Sequence, residues 1–379
     1  MWVASPVTRG SVLPEGAPGA IIAPVIDLLE SLIATPSFSR EEGPTADLIA
    51  AWLAARGADV RRHGHNVYAT RRSAAAATLP DGTRAHVLLN SHHDTVRPAA
   101  GWAGYGDPFS PTWDGDKLTG LGSNDAGGPL VALLQTFVDL AGEGLGFDLT
   151  VAATAEEEIS GPNGIASVLP LLPPVTCAVV GEPTSLEAAV AEKGLVVIDG
   201  ETRGRSGHAA RGEGDNALYR AIEDIRALRD YAFASTSERL GPVLVTTTQI
   251  EAGSQHNVVP DRCRFVVDVR TTDAYANEET VRLLRAAASG HTTLTPRSTR
   301  LQPSGLSPRH PLYRAAVEGL GLRPYGSPTL SDQALMPFPT LKLGPGDSAR
   351  SHTAGEHIYR REVERGVGVY KGLLRGLRL

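Results

Sequence analysis

Cysteine is scarce in this chain of 379 residues, which contains only Cys177 and Cys263. Two cysteines cannot form a disulfide framework or a cysteine-based zinc site, so we expect two reduced thiols in the core of a cytoplasmic protein. The chain also lacks an apolar run long enough to span a bilayer, and its first twenty residues contain no apolar segment typical of a secretory signal. The sequence therefore predicts no membrane partner.

Charge of one sign is not in large excess either, because 36 basic and 42 acidic residues give a formal net charge of −6. There is no long basic tract, so the sequence predicts no nucleic-acid partner. Hydrophobic residues make up 41% of the chain and charged residues 21%, which is typical of a globular protein rather than a disordered or fibrous one. The length favours two domains.

The first half of the chain alternates between helical patterns and apolar runs typical of buried strands. Residues 1–20 are rich in proline, glycine and small residues, and are expected to form a flexible arm. Alternating strands and helices predict an α/β layer with a largely parallel sheet. The predicted helices are 21–36, 45–56 and 129–139, and the predicted strands are 66–70, 86–90, 149–155 and 178–180.

The pattern changes at about residue 190. Strands at 195–202, 243–250, 264–270 and 292–299 alternate with helices at 216–231 and 276–288. This β-α-β-β-α-β order predicts a ferredoxin-like unit. A helix at 312–320, a strand at 340–343 and a helix at 361–377 then return to mixed α/β. We therefore expect a large domain formed by residues 21–190 and 301–379, into which a small domain (residues 191–300) is inserted.

Five motifs place potential metal ligands at the ends of strands or in the loops that follow them. Because an α/β fold gathers the ends of its strands at one edge, we expect these side chains to lie close together. Imidazoles and carboxylates suit zinc, cobalt or manganese. The five candidate ligands are His92, Asp125, Glu158, Glu182 and His352.

The charge balance of this set fits two divalent ions. Two ions bring four positive charges, three carboxylates bring three negative ones, and one hydroxide closes the balance. Asp125 is the natural bridging ligand. Asp94 lies two residues after His92 and can accept the second ring N–H of that imidazole. Glu157 is the acid that no metal needs, so it is the candidate general base.

Each motif also has a structural explanation when it is taken alone. The segment with His92 and Asp94 can be a polar loop, and Asn124 or Asp125 can cap the helix that follows. The acidic triplet at 156–158 can be a solvated turn, and a single histidine such as His352 is often structural. Only the combination favours a metal site over these explanations.

The segments SHHDTV, GLGSNDAGG, ATAEEEISG, VGEPTS, SGHAA and SHTAGEHI resemble, in order, those of the acetylornithine deacetylase, succinyl-diaminopimelate desuccinylase and carboxypeptidase G family of dinuclear zinc hydrolases. The acetylornithine deacetylase-like members are the most similar. The resemblance implies a zinc-peptidase-like α/β catalytic domain whose inserted ferredoxin-like domain is a lid. It also implies that His92 and Glu182 hold one zinc, that Glu158 and His352 hold the other, and that Asp125 bridges them.

The resemblance gives roles to three lid residues and implies a homodimer through the lid. His208 is expected to stabilise the oxyanion, Asn257 to bind substrate, and Arg270 to bind the α-carboxylate of the substrate. The register of the acidic triplet follows from the family pattern, in which Glu157 is the base and Glu158 the ligand. A slip by one residue would give these roles to Glu156 and Glu157.

The resemblance therefore predicts a metal-dependent amidohydrolase whose partner is a small-molecule N-acyl amino acid. N-acetylornithine, in arginine biosynthesis, is the first candidate, followed by N-acetylcitrulline and N-succinyl analogues. Asp332 could pair with the cation of ornithine, Arg350 could bind a second carboxylate, and Glu356 is expected to orient His352. A carboxypeptidase or dipeptidase of the same family, and a relative that binds ligand without catalysis, are the alternatives.

Overall fold

The structure, a computed structural model, describes residues 19–379. The arm predicted at residues 1–20 lies outside the described residues, except for its last two, which begin the first helix. The helices before the lid are α1 (Gly19–Ile33), α2 (Gly43–Ala54), α3 (Gly128–Asp139) and α4 (Ile165–Val168). The strands before the lid are β1 (Val60–His63), β2 (Asn66–Arg71), β3 (His86–His92), β4 (Thr112–Asp114), β5 (Lys117–Thr119), β6 (Asp148–Thr154), β7 (Cys177–Val180) and β8 (Ala188–Glu192).

After β8 the chain enters the small inserted domain, which we call the lid after its predicted role. The chain then returns to the large domain. The lid contains β9 (Gly194–Arg203), β10 (Gly207–His208), α5 (Ala217–Arg229), β11 (Leu244–Ala252), β12 (Val258–Val259), β13 (Arg262–Thr271), α6 (Asn277–Ala287) and β14 (Thr292–Pro296). The last elements are β15 (Ser304–Gly305), α7 (Pro311–Tyr313), β16 (Pro324–Ser327), β17 (Thr340–Lys342), β18 (His357–Tyr359) and α8 (Arg360–Gly376).

The large sheet has nine strands in the order β1-β2-β6-β3-β7-β17-β8-β15, and β16 also pairs with β8. The strands β6, β3, β7 and β17 at its centre are parallel to their neighbours in this group. The prediction of a largely parallel sheet was wrong towards the edges, where β1, β2, β8 and β15 pair antiparallel. The reason is local for β1 and β2, because a turn of two residues can join only antiparallel neighbours.

The central strands are buried on both faces, as their continuous apolar runs predict. Every residue of β3, β6 and β7 is buried. One face packs against α1, α3 and α8 through Leu29, Leu133 and Tyr370. The other face is covered by α4 and by residues near Met336. This burial fixes the strands rigidly, so the loops that follow them begin from defined positions.

The lid has the predicted ferredoxin-like fold. Its four-stranded antiparallel sheet has the order β11-β13-β9-β14. The apolar face of this sheet packs against α5 and α6 through Val196, Phe265, Val267 and Leu284. The predicted fold class is confirmed, although the boundaries 190/191 and 300/301 stay a prediction.

The two connections of the lid run side by side at the edge of the large sheet. Glu192 of β8 pairs with Ser304 of β15, and Leu195 forms a bridge with Leu301. Gly194 is required here, because a Cβ at this position would lie 2.5 Å from the nitrogen of Pro303. The chain therefore enters and leaves the lid through two adjacent segments.

Short elements were missed or overestimated from the sequence. The strands β1, β4, β5, β8, β10, β12, β15, β16 and β18 were not predicted, since each has only two to five residues. The helix predicted at 312–320 is α-helical only over α7, and wider turns continue to Gly319. Both cysteines are free and buried. Within residues 19–379, no helix is long and apolar enough to cross a membrane.

Candidate metal centre

The parallel strands deliver the five candidate ligands to one edge of the large sheet. His92 is the last residue of β3, the acidic triplet follows β6, and Glu182 follows β7. The carboxyl ends of parallel neighbours meet at the same edge, so these side chains converge. His352 reaches them from the loop after β17, and Asp125 from the turn that precedes α3.

The five side chains form two groups that share Asp125. In the first group, ligand atoms of His92, Asp125 and Glu182 lie within 4.8 Å of one another, and in the second those of Asp125, Glu158 and His352 do. Asp125 Oδ1 is 3.2 Å from His92 Nε2, and Asp125 Oδ2 is 3.6 Å from His352 Nε2. One carboxylate with an oxygen towards each imidazole is the arrangement expected of a bridging ligand.

Glu158 is the remaining candidate ligand of the second group, and Glu182 is that of the first. His352 Nε2 lies 3.0 Å and 3.2 Å from the two carboxylate oxygens of Glu158. His92 Nε2 lies 3.9 Å from Glu182 Oε1. Each group thus offers one imidazole and two carboxylates, which is a suitable set for a divalent cation of the zinc type.

The crowding of carboxylates at this edge changes their ionisation. Burial, together with the negative charge of Asp125, raises the pKa of Glu182 to about 8. Burial and the charge of Glu182 also raise the pKa of Glu157 well above its usual value. The hydrogen bond that His352 donates to the Glu158 carboxylate raises the pKa of His352 to about 9. Repulsion between buried carboxylates is what bound cations remove, so the donor set fits a pair of divalent metal ions.

The backbone of the acidic triplet is held by two buried carboxylates. The amide of Glu156 donates to Glu42 Oε1 at 3.1 Å. The amides of Glu157 and Glu158 donate to the two oxygens of Asp94 at 3.0 Å and 3.2 Å. Three successive amides are therefore fixed, and the direction in which each side chain leaves the turn is fixed with them.

Asp94 also approaches His92, as the sequence predicts, but its main chain is closer than its carboxylate. His92 Nδ1 lies 3.0 Å from the carbonyl oxygen of Asp94 and 3.4 Å from Asp94 Oδ1. Both acceptors favour a proton on Nδ1, which leaves Nε2 free for a metal.

The two possible registers of the triplet lead to different positions. Glu157 and Glu158 face a cavity of about 290 Å³. Glu156 points away and accepts hydrogen bonds from Asn163 N at 3.2 Å and Asn163 Nδ2 at 2.8 Å. The structure thus places the predicted base and ligand, and not Glu156, at the cavity. The cavity is lined by Asp125, Glu157, Glu158, Glu182, Pro183, Tyr325, Thr329, Leu330, Lys342, Ser348, Ser351 and His352.

Of the residues that the structure describes, those that line this cavity do not include His208, Asn257 or Arg270. His208 is exposed, and its Nδ1 accepts from the amide of Ala210. Asn257 lies beside it, since β10 pairs with β12. Arg270 forms a bidentate ion pair with Asp268, at 2.8 Å and 3.2 Å.

Of three secondary expectations, the one for Glu356 was wrong, and the structure gives Arg350 and Asp332 other partners. Glu356 does not orient His352; its Oε1 accepts from the amides of Asn124 and Asp125, both at 2.9 Å. The guanidinium of Arg350 binds Glu362 in a bidentate pair, so a second substrate carboxylate would have to displace Glu362, and the role of Arg350 stays a prediction. Asp332 accepts from the Thr154 hydroxyl at 2.8 Å and is buried behind the site. Such partners are hard to find from the sequence, because up to 232 residues separate them.

A buried ion pair, of which Lys342 lines the cavity, was missed from the sequence. Lys342 is buried, and its Nζ lies 2.7 Å from Glu192 Oε2. The same Nζ donates to the carbonyl oxygen and the hydroxyl of Thr329. Glu192 accepts from the amide and hydroxyl of Ser331. The lysine within the apolar segment TLKLG is the sequence signal that could have predicted this ion pair, because a lysine is rarely buried without an acidic partner.

Residues 88–376 match the model of "Peptidase family M20/M25/M40". The chain belongs to this family. Acetylornithine deacetylase from Salmonella agona (strain SL483) is 28% identical, over 91% of this chain and 95% of the relative. The predicted family is therefore confirmed, and the chain is an M20 family hydrolase.

Solved structures show the same M20 fold. Aminopeptidase PepT from Bacillus cereus superposes with a TM-score of 0.75 at 17% identity, over 94% of this chain and 99% of that one. YXEP from Bacillus subtilis, a dinuclear metal-binding peptidase of the M20 family, gives a TM-score of 0.70 at 16% identity, over 94% and 98%. At these identities the likeness describes the fold alone.

Proposed function

We propose that this M20 hydrolase is a dinuclear metal-dependent amidohydrolase that removes the acyl group from an N-acyl amino acid. The observation that carries the proposal is the pair of ligand groups sharing Asp125, with Glu157 beside them and outside both. Two divalent metal ions held there would polarise the scissile carbonyl and lower the pKa of the attacking water. The mixture of imidazole and carboxylate favours zinc, with cobalt or manganese as substitutes.

Glu157 is the residue that moves the proton. Its carboxylate faces the cavity, and its Oε2 lies 3.9 Å from His92 Nε2. Its raised pKa suits a group that first accepts a proton from water and then donates it to the leaving amine. Asp94 supports this role as a positioning residue, because it fixes the amide of Glu157 and faces His92.

The substrate class rests on the deacetylase relatives at 28% identity over nearly the whole chain. N-acetylornithine, as in arginine biosynthesis, is the first candidate, and N-acetylcitrulline and N-succinyl analogues follow. The lid would supply the remaining contacts: His208 to the oxyanion, and Asn257 and Arg270 to the substrate. Arg270 must exchange Asp268 for the substrate carboxylate, so we propose that the lid moves during turnover.

We also propose that the lid forms a homodimer. Within the described residues, β11 pairs with β13 on one side only, so its other edge is open for pairing. Leu244 and Ile250 on this strand are about half exposed. Light scattering of the purified protein should give the mass of a dimer, and Ile250→Lys should shift it to that of a monomer. A monomeric parent protein would refute this proposal.

The test of function is hydrolysis of a substrate panel by the purified protein, before and after chelation and after addition of Zn²⁺. The panel contains N-acetyl and N-succinyl forms of ornithine and citrulline, and dipeptides. Metal-restored turnover of one acyl amino acid would support the proposal and name the substrate. Turnover of dipeptides alone would favour the peptidase alternative, which uses the same chemistry in a different pocket. Two bound metal ions without any turnover would favour a non-catalytic relative.

A further inference from the structure

The buried side chain of Asn124 joins the turn that carries Asp125 to the segment that carries His352. Its Nδ2 donates to the carbonyl oxygen of Asp347 at 3.1 Å and to the Ser351 hydroxyl at 3.3 Å. Its Oδ1 accepts from the amide of Asp347 at 3.0 Å. All three hydrogen bonds go to residues 347–351, directly before His352.

The fit of Asn124 depends on Gly346. A Cβ at position 346 would lie 2.4 Å from Asn124 Oδ1, and the φ of Gly346 is 86°. Both the space and the left-handed backbone require glycine there. The amide of Asn124 donates at 2.9 Å to Glu356, on the far side of His352. Asn124 is therefore attached to the His352 segment on both sides of the histidine.

Apart from Asn124, the His352 segment is held by the ion pair of Arg350 with Glu362, and the imidazole contacts Glu158. The side chain of His352 is 54% exposed, and its backbone is left-handed with a φ of 59°. In contrast, His92 is buried at the end of a central strand of the large sheet. The hydrogen bonds of Asn124 therefore contribute to the position of the His352 imidazole relative to Asp125, whereas the position of His92 depends on the sheet.

We propose that Asn124 is the positioning residue for the His352 side of the metal centre. Loss of its side chain should weaken the binding of one metal ion and leave the ion at His92, Asp125 and Glu182 in place. Asp125 keeps its own support in the variant, because its amide donates to Glu356. This inference rests on the proposed dinuclear centre. Removal of groups that orient metal ligands typically weakens metal affinity about 10- to 100-fold.

The experiment is a titration of the metal-free, full-length protein with Zn²⁺, followed by calorimetry and by equilibrium dialysis with metal analysis. We expect the parent protein to bind two ions. Asn124→Ala should bind one ion with the parent affinity and the second about 10- to 100-fold more weakly. Asn163→Ala is the matched control, because this asparagine donates to Glu156 on the outer side of the triplet. It should bind both ions as the parent does.

A double variant identifies the weakened site. His352→Ala removes one ligand directly, and the double variant Asn124→Ala/His352→Ala should bind its remaining ion with the same affinity as His352→Ala alone. A further tenfold loss in the double variant would mean that Asn124 supports the His92 side as well, and would overturn the inference. Unchanged binding of both ions by Asn124→Ala would overturn it too.

If Asn124→Ala fails to fold, Ser351→Ala removes one hydrogen bond of Asn124, and metal binding unchanged from the parent protein would refute the inference.

Two outcomes separate this inference from the proposed function. A parent protein that binds fewer than two ions would refute it together with the dinuclear centre. A parent protein that binds two ions but hydrolyses no acyl amino acid would refute the proposed substrate class and leave the role of Asn124 standing.

Discussion

Glu157 lies beside the candidate ligands without belonging to either group, so its removal should separate metal binding from turnover. We expect Glu157→Gln to retain both metal ions, because no ligand is lost. Its kcat should fall by about 10²- to 10⁴-fold, the usual contribution of a general base. Steady-state kinetics and metal analysis of the same preparation measure both quantities.

Glu156→Gln is the matched control for the register of the triplet. Glu156 contacts Asn163 and faces away from the cavity, so this variant should keep its turnover within a few fold. If Glu156→Gln lost turnover and Glu157→Gln kept it, the register would be shifted by one residue.

Lys342 and Glu192 form a buried ion pair whose loss should be costly for stability. Their side chains are 3% and 0% exposed. Lys342→Met leaves the Glu192 carboxylate buried without its cation, which typically lowers the free energy of unfolding by about 3–5 kcal/mol. Denaturant unfolding of the metal-free protein measures the difference from the parent protein.

The double variant Lys342→Met/Glu192→Met tests the cause of that loss. Replacement of both partners removes the unpaired charge, so it should recover a large part of the stability. A single variant as stable as the parent would show that Glu192 is adequately satisfied by the amide and hydroxyl of Ser331.

The identity of the candidate ligands could be predicted from the sequence, while their supporting contacts could not. His92, Glu158 and Glu182 each follow an apolar strand, and parallel strands end at one edge. Asn124 and Glu356 gave no comparable signal, because 232 residues separate them and the contact depends on how the loops pack. Local patterns describe strand ends well and loop packing poorly.

At the scale of elements, the four strands of the lid sheet, β9, β11, β13 and β14, were predicted within a few residues because apolar and polar residues alternate along them. In β13, the inward residues Cys263, Phe265, Val267 and Val269 are buried, and those between them are more exposed. The edge strands of the large sheet lack this pattern. Strands as short as β15 and β18 have too few residues to show a period.

The packing of β9 against β13 depends on a residue without a side chain. Gly200 faces Phe265 across the two strands, and a Cβ at position 200 would lie 2.3 Å from the Cζ atom of that ring. We expect Gly200→Ala to lower the free energy of unfolding by about 1–3 kcal/mol, because added volume in a packed core forces side chains out of position. Denaturant unfolding, followed with a spectroscopic label attached to the lid, measures this change in the free energy of unfolding.

Two variants control for the effect of Gly200→Ala. Gly290→Ala adds the same methyl group to the lid where no atom lies within 4 Å, and should leave stability nearly unchanged. Phe265→Leu combined with Gly200→Ala should be more stable than the sum of the two single changes predicts, because the clash is relieved. Strict additivity would contradict the proposed contact.

At the scale of the whole molecule, the crowded metal centre should make the metal-free protein less stable as pH rises. The pKa values of Glu182 and Glu356 are about 8 in the fold, and that of His352 is about 9. The unfolded values are about 4.3 for glutamate and about 6.5 for histidine. Between these limits the fold binds protons that the unfolded chain has released, so the unfolding free energy falls from about pH 5 to pH 9.

Metal should reverse this dependence, because metal ions bind the deprotonated ligands. The melting temperature in the presence of a chelator should fall between pH 5 and pH 9, and the gain on adding Zn²⁺ should grow over the same range. Thermal unfolding at several pH values measures both. A melting temperature of the metal-free protein that rises through this range would contradict the ionisation described for the site.

The position of β17 has a consequence for synthesis on the ribosome. This strand lies between β7 and β8 in the large sheet, yet about 150 residues, including the whole lid, are made between β8 and β17. At roughly 5–20 residues per second, the nascent chain spends on the order of ten seconds or more with a gap in the middle of its main sheet. During that interval the lid can fold by itself, while the open edges of β7 and β8 would attract chaperones. A chain that stops before Thr340 lacks both the strand and His352, so premature termination yields no partly active enzyme.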